Sequence, residues 1–110
     1  TLVVEVDNNY LAVAVIPVTK QLNLKKLAKT LKAKKIKMAE VSKVQNSTGY
    51  LLGGVSPLGQ KKSLTTVLDN SAETLKTIFV SGGKRGLEIE LAPQYLILSL
   101  QASYADIISE

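Results

Sequence analysis

The sequence predicts one α/β (α+β) domain, built on a mixed, largely antiparallel sheet flanked by helices. Three observations lead there. Short apolar runs separated by turn residues recur along the chain, as the strands of a sheet do. Two stretches carry helix starts instead: Asn23 ahead of Leu24, Leu27, Ala28 and Leu31, and Pro93 ahead of a second apolar run. Finally, 110 residues with 45% hydrophobic content suffice for a single modest core. Neither an internal repeat nor a low-complexity linker divides them.

In order, residues 1–6 read as a strand with apolar Leu2, Val3, Val4 and Val6. Asp7-Asn8-Asn9 supplies a turn, and residues 10–16 return as a second strand, making a hairpin that Pro17 ends. The first strand is apolar on both faces, the pattern of a strand covered on both sides. Asn23 caps a helix whose apolar residues fall at i, i+3, i+4 and i+7. Residues 36–39 form a short strand, and residues 40–45 a short helix that feeds a glycine-rich loop over residues 47–62. Inside that loop Tyr50-Leu51-Leu52 is strand-like. Residues 61–68 are extended, with a turn near Asp69-Asn70-Ser71, and residues 77–80 form a buried strand. Over residues 87–91, Leu87, Ile89 and Leu91 alternate with Glu88 and Glu90, which predicts one covered face and one polar face. Pro93 opens a helix running to about residue 100, and residues 104–108 close as a last strand.

The chain contains neither cysteine nor histidine. A Cys nucleophile, a His general base, a Ser-His-Asp triad and a zinc site of the usual kind are therefore excluded. Any catalysis falls to backbone dipoles, hydroxyls, lysines, carboxylates or the substrate itself. Without cysteine there is no disulfide framework, and a cytoplasmic address is the default expectation. No apolar run approaches the eighteen or so residues of a membrane span, so no membrane partner is expected.

Charge is concentrated. Nine lysines stand between Lys20 and Lys43 against the single acid Glu40, a local +8 in a chain of net charge +5. Lys25, Lys29 and Lys32 lie opposite the leucine stripe of the first helix. Two readings stand: a solvated helix face, or contact with a polyanion. Lysines without interleaved aromatics fit phosphate contact rather than base reading.

Four of the seven glycines, Gly49, Gly53, Gly54 and Gly59, fall in the first loop, with Ser56-Pro57 between them and Lys61-Lys62 closing it. A second loop, Ser81-Gly82-Gly83-Lys84-Arg85-Gly86, also follows an apolar strand. Two readings stand for such loops: tight structural turns between strands, or, since two of them lie at strand ends and each carries basic residues, a binding mouth.

The segments Gly53-Gly54-Val55-Ser56-Pro57-Leu58-Gly59-Gln60-Lys61-Lys62 and Ser81-Gly82-Gly83-Lys84-Arg85-Gly86-Leu87 resemble the two signatures of the YbaK/EbsC family. These are freestanding proteins that deacylate mischarged tRNA, mainly Cys-tRNA(Pro), and are related to the editing domain of bacterial prolyl-tRNA synthetases. The resemblance implies tRNA as partner, prolyl-tRNA synthetase as a further one, and no metal or organic cofactor. It assigns Gly53 and Gly54 to carbonyl or oxyanion contacts, and Thr1 and Ser81 to hydroxyl partners in the pocket. Ser56, Pro57, Gly82 and Gly83 would complete the substrate site. Lys84 and Arg85 either neutralise a terminal phosphate or remain solvated loop charges. Glu88 stands where better-known members have Asp, and either orients substrate or pairs with Lys84 or Arg85. Lys25, Lys29, Lys32, Lys61 and Lys62 would face tRNA. The family also carries an N-terminal segment ending in a functional lysine just ahead of the threonine that Thr1 matches. The chain is thus expected to be an N-terminally shortened copy, either active on Cys-tRNA(Pro) or another aminoacyl group such as Ala-tRNA(Pro), or reduced to tRNA binding.

Overall fold

In the computed structural model, which describes residues 1–51 and 54–109, strand β1 (Leu2–Val6) lies inside a five-stranded sheet. Its hairpin partner β2 (Tyr10–Val15) runs antiparallel, with Leu2 opposite Ala14 and Val6 opposite Tyr10. The turn between them places Asp7 and Asn8 at φ of 52° and 54°, left-handed values that Asp and Asn tolerate and that suit the twist of a hairpin. On the other side β3 (Ile36–Met38) pairs antiparallel with β1. Asp7 fixes its start, accepting the backbone N–H groups of Lys34 and Lys35 at 3.0 and 2.7 Å.

The sheet continues through parallel pairings. β4 (Thr65–Asp69) lies beside β2, and β7 (Ser103–Ala105) lies beside β4. β5 (Ile78–Ser81) and β6 (Glu88–Leu91) form a separate antiparallel ribbon. The architecture is thus mixed, as expected, with helices packed on the sheet.

Side-chain alternation along β1 and β2 sorts the core into layers. Val4, Val6, Ala12 and Ala14 face Leu27 of α1 (Leu24–Thr30) and Ile107. Val3 and Val13 face Val44 of α2 (Val41–Thr48) and Val55. Both faces of β1 are therefore covered from within these residues. A third cluster, Leu68, Val80, Leu96 and Ala102, fastens the ribbon and α3 (Pro93–Leu100) to β4.

The helices begin where the sequence says and end partly elsewhere. The Asn23 side chain accepts the Lys26 N–H at 3.0 Å, and Pro93 occupies the first turn of α3. α2 extends beyond residue 45 and stops at Gly49, whose φ of 82° lets its N–H close on Gln45 O at 2.9 Å. Asn46, Ser47 and Thr48 are weak helix formers, but Ser47 and Thr48 are buried. The Thr48 hydroxyl donates back to Val44 O at 2.7 Å.

Other expectations are corrected. Tyr50 and Leu51 are not strand, and Leu52 lies outside the described residues. Residues 61–64 are not extended into β4; the Lys61 and Lys62 N–H groups instead close on Thr48 O and Ser47 O. The strand read as buried at 77–80 buries only Val80, with Phe79 64% exposed. Leu87 and Ile89 are also exposed, because β6 pairs only with β5 and no layer among the described residues covers its outer side. The last strand is shorter than residues 104–108, and Ile108 forms an isolated bridge with Leu22. Among the described residues no helix is long and apolar enough to cross a membrane.

Candidate functional site

The two glycine loops meet backbone to backbone. A β-carbon at Gly54 would lie 2.7 Å from Lys84 Cα and 3.1 Å from Arg85 N, so only glycine fits without moving the second loop. Tyr50 is the other clasp. Its hydroxyl donates to Leu58 O at 2.6 Å, while its ring abuts Gly83, where a β-carbon would sit 3.0 Å from Tyr50 Cε1. Within the first loop Ser56 is buried, its Oγ accepting Leu58 N–H at 3.2 Å and its carbonyl accepting Gln60 Nε2 at 2.9 Å.

The second loop, through Ser81, Lys84 and Gly86, borders a cavity of about 650 Å³, between the segment after β2, the segment after β4 and the ribbon. Its polar lining includes Thr1, Asp69, Ser81, Lys84 and Glu88. Thr1 and Ser81 also border a neighbouring cavity of about 340 Å³ against Val3, Val44 and Val55. The Thr1 hydroxyl is buried without a hydrogen-bond partner among the described residues. Such a group costs roughly 1–3 kcal/mol unless a bound molecule satisfies it. Ser81 Oγ accepts the Gly83 N–H at 3.4 Å, a long hydrogen bond that leaves its own proton to donate. The cavity therefore has in its wall Ser81, whose hydroxyl is free to donate, with the exposed Lys84 beside it.

The structure gathers Thr1, Ser81, Lys84 and Glu88 around one cavity and leaves other expected residues outside it. Gly53 lies outside the described residues. The Gly54 N–H donates to Leu51 O at 3.0 Å, so the expectation that it points at a substrate carbonyl is revised: Gly54 serves loop packing. Ser56 and Pro57 are buried, and Pro57 borders a separate space of about 140 Å³ beside Lys62. The Gly82 N–H closes the second loop onto Leu87 O at 2.7 Å. Lys84, Arg85 and Glu88 are exposed, and among the described residues no ion pair joins Glu88 to either base.

Charge on α1 sits elsewhere. α1 covers the Val4 and Val6 face of the sheet, whereas Thr1 and Val3 alternate to the opposite face. Lys25 and Lys29 are exposed there, and Lys32 lies past the helix end at φ 55°. Lys26 is bound to Asp106 at 3.0 Å and to Ile108 O at 2.9 Å. Lys61 and Lys62 are exposed beside the first loop.

Asp69 is the residue that sequence reading left as a plain turn. It is 1% exposed and lines the main cavity. One carboxylate oxygen accepts Ser71 N–H and the other accepts Ile107 N–H, both at 3.1 Å. The Asp-Asn-Ser signature was visible as a side-chain-capped turn; the partner at Ile107, far along the chain, was not.

Comparison with known proteins supplies the remaining context. A protein of Enterococcus faecalis (strain ATCC 700802 / V583) named "Putative Cys-tRNA(Pro)/Cys-tRNA(Cys) deacylase EbsC" is 43% identical over 98 residues, covering 89% of this chain and 60% of its own length. The chain thus spans about three fifths of that curated relative. Among solved structures, "hypothetical protein APE2540" superposes with a TM-score of 0.89 at 28% identity, over 99% of this chain and 72% of the other. The fold is also that of "a putative trans-editing enzyme for prolyl tRNA synthetase", with TM-score 0.88, 24% identity and coverage of 99% and 68%. The family described as "Aminoacyl-tRNA editing domain" matches residues 1–97, a stretch that takes in both glycine loops and most of the cavity wall. The chain belongs to the aminoacyl-tRNA editing domain family.

Proposed function

We propose that this protein hydrolyses the ester of mischarged aminoacyl-tRNA, with Cys-tRNA(Pro) as the substrate, acting in the cytoplasm alongside prolyl-tRNA synthetase. The observation that carries the proposal is that Thr1, Ser81 and Lys84 line one cavity, beside the second glycine loop, which packs against the first. The 43% identical relative named as a Cys-tRNA deacylase supports the choice of substrate.

The chemistry asks little of side chains. As the ester carbonyl is attacked, its oxygen gains negative charge, and each preorganised donor is worth roughly 3 kcal/mol in measured oxyanion holes. The Ser81 and Thr1 hydroxyls are proposed as donors, and Gly53 is proposed to add its backbone N–H. Lys84 and Arg85 would neutralise phosphate near the tRNA 3′ end. A cysteinyl substrate carries its own nucleophile: its sulfur attacks the carbonyl, the bond to the ribose oxygen breaks, that oxygen takes up the thiol proton, and water then opens the resulting cyclic thiolactone to free cysteine. The protein then needs only to position the ester and polarise it, which suits a chain without histidine or cysteine.

The deciding experiment is release of cysteine from Cys-tRNA(Pro), beside Ala-tRNA(Pro) and correctly charged Pro-tRNA(Pro). Faster loss of the cysteinyl ester is the expected result. Preference for the alanyl ester would replace the substrate. Binding without turnover would favour a tRNA-binding role alone, a reading that the internally bonded Gly54 N–H supports.

A further inference from the structure

Phe79 is the only phenylalanine in a chain without tryptophan, and it is 64% exposed in the middle of β5. A single exposed apolar side chain is ordinary on a protein surface. The position of this one is not ordinary, because among the described residues Phe79 is the one aromatic side chain lining the 650 Å³ cavity. Of the other aromatics, Tyr50 is committed to Gly83 and Leu58, and Tyr104 packs into the third core cluster.

Strand register explains which way the ring faces. Phe79 lies opposite Glu90 and Ser81 opposite Glu88, so these four share one face of the ribbon. Val80, with Ile78 and Leu91, turns to the core. The carboxylate opposite Phe79 is engaged, since Glu90 Oε2 accepts the Thr77 hydroxyl at 2.7 Å. Leu75 and Leu87, 51% and 45% exposed, border the same cavity. Phe79 thus presents an exposed ring on the strand that also carries Ser81, with Leu75 and Leu87 bordering the same cavity and Lys84 and Arg85 in the loop just beyond.

We infer that Phe79 is the platform on which the terminal base of the tRNA 3′ end stacks. This inference rests on the aminoacyl-tRNA reading of the cavity. Residues two apart on one strand lie about 7 Å from each other on the same face. An aminoacylated ribose holds its ester and its base on opposite sides of one furanose ring, a separation of the same order. A base on Phe79 therefore leaves the ester beside Ser81. The following loop then lies where the preceding phosphate runs, which is what its lysine and arginine suit. Stacking is tolerant of base identity, as befits a site that must accept an end common to every tRNA and discriminate through the aminoacyl group.

Phe79→Trp tests this directly, because it introduces the only tryptophan and keeps an aromatic face. The probes are two RNA minihelices, one ending in CCA and one lacking the terminal A. Saturable quenching of tryptophan emission by the complete minihelix, and not by the shortened one, is expected. In the otherwise unaltered chain, Phe79→Leu should weaken binding of the complete minihelix about tenfold and leave the shortened one unaffected. Phe79 is exposed enough that both variants should melt like the parent. The inference is overturned if Phe79→Leu separates the two minihelices as well as the parent does, or if emission stays constant while a gel shift shows the complex. It is also overturned, with the tRNA reading intact, if the parent binds both minihelices equally. A parent that binds neither removes the tRNA reading and this inference together.

Discussion

At Gly54 a methyl group would have to displace the Lys84–Arg85 backbone, since it would lie 2.7 Å from Lys84 Cα. Backbone cannot turn aside as a side chain can. Gly54→Ala is expected to destabilise the fold by roughly 1–3 kcal/mol, read from urea unfolding, and to reduce deacylation by shifting the second loop. A variant with parental stability would show that the loops do not press on each other. Tyr50→Phe separates the two halves of the other clasp: it removes the donor to Leu58 O but keeps the ring on Gly83. Its expected cost is about 1 kcal/mol, again measured by urea unfolding, with the larger functional effect on the first loop.

Among the elements, α1 depends on its cap, and Asn23→Ala should cost about 1 kcal/mol in thermal or urea unfolding. β1 and α2 are joined by an ion pair, Lys43 Nζ to Glu5 Oε1 at 3.0 Å. The hydrogen bond from Lys43 holds the Glu5 carboxyl below its usual range, and the same bond raises Lys43. A depressed carboxylate contributes stability above its unfolded pKa and loses it as pH falls through the folded value. A raised lysine contributes below its unfolded pKa and loses it as pH rises through the folded one. Melting temperature should therefore fall on acidification through the carboxylate range, and Lys43→Met should flatten that acid limb while lowering stability at neutral pH. An unchanged acid limb would mean that other carboxylates set it. At this scale the sequence was informative wherever a local signal acts locally: Asn23, Pro93 and Asp7-Asn8 each mark a boundary that the fold obeys. It was silent where partners are distant. Alternation over residues 87–91 correctly signals a strand, but periodicity has no means of saying that the ribbon stands off the main sheet. The two glycine loops were legible as loops; that Gly54 is packed was not, because that depends on Lys84 lying against it.

For the whole molecule the governing quantity is charge placement. The chain carries a net +5, and the α1 lysines sit across the sheet from Thr1. Changing Lys25, Lys29 and Lys32 together to Glu should weaken tRNA binding and flatten the log–log salt dependence by roughly 0.7 to 0.9 for each phosphate no longer neutralised. Single-turnover cleavage of bound Cys-tRNA(Pro) should stay at the parental rate, because these residues lie away from the cavity. Filter binding across a salt series, paired with single-turnover assays, checks both halves. Unaltered affinity and slope would remove α1 from the interface.

The backbone-to-backbone packing of the glycine loops has an entropic consequence. A binding mouth built from long side chains must freeze their rotamers each time a ligand arrives, at about 0.5–1.5 kcal/mol for each one immobilised. Here the loop that borders the cavity is backed by Gly54 against the Lys84–Arg85 main chain, and the clasp is a tyrosine whose two ends are already engaged. That ordering is met once, during folding, and does not recur with each substrate. More of the binding energy remains for telling one small ligand from another, where a single methylene is worth only about 1–3 kcal/mol.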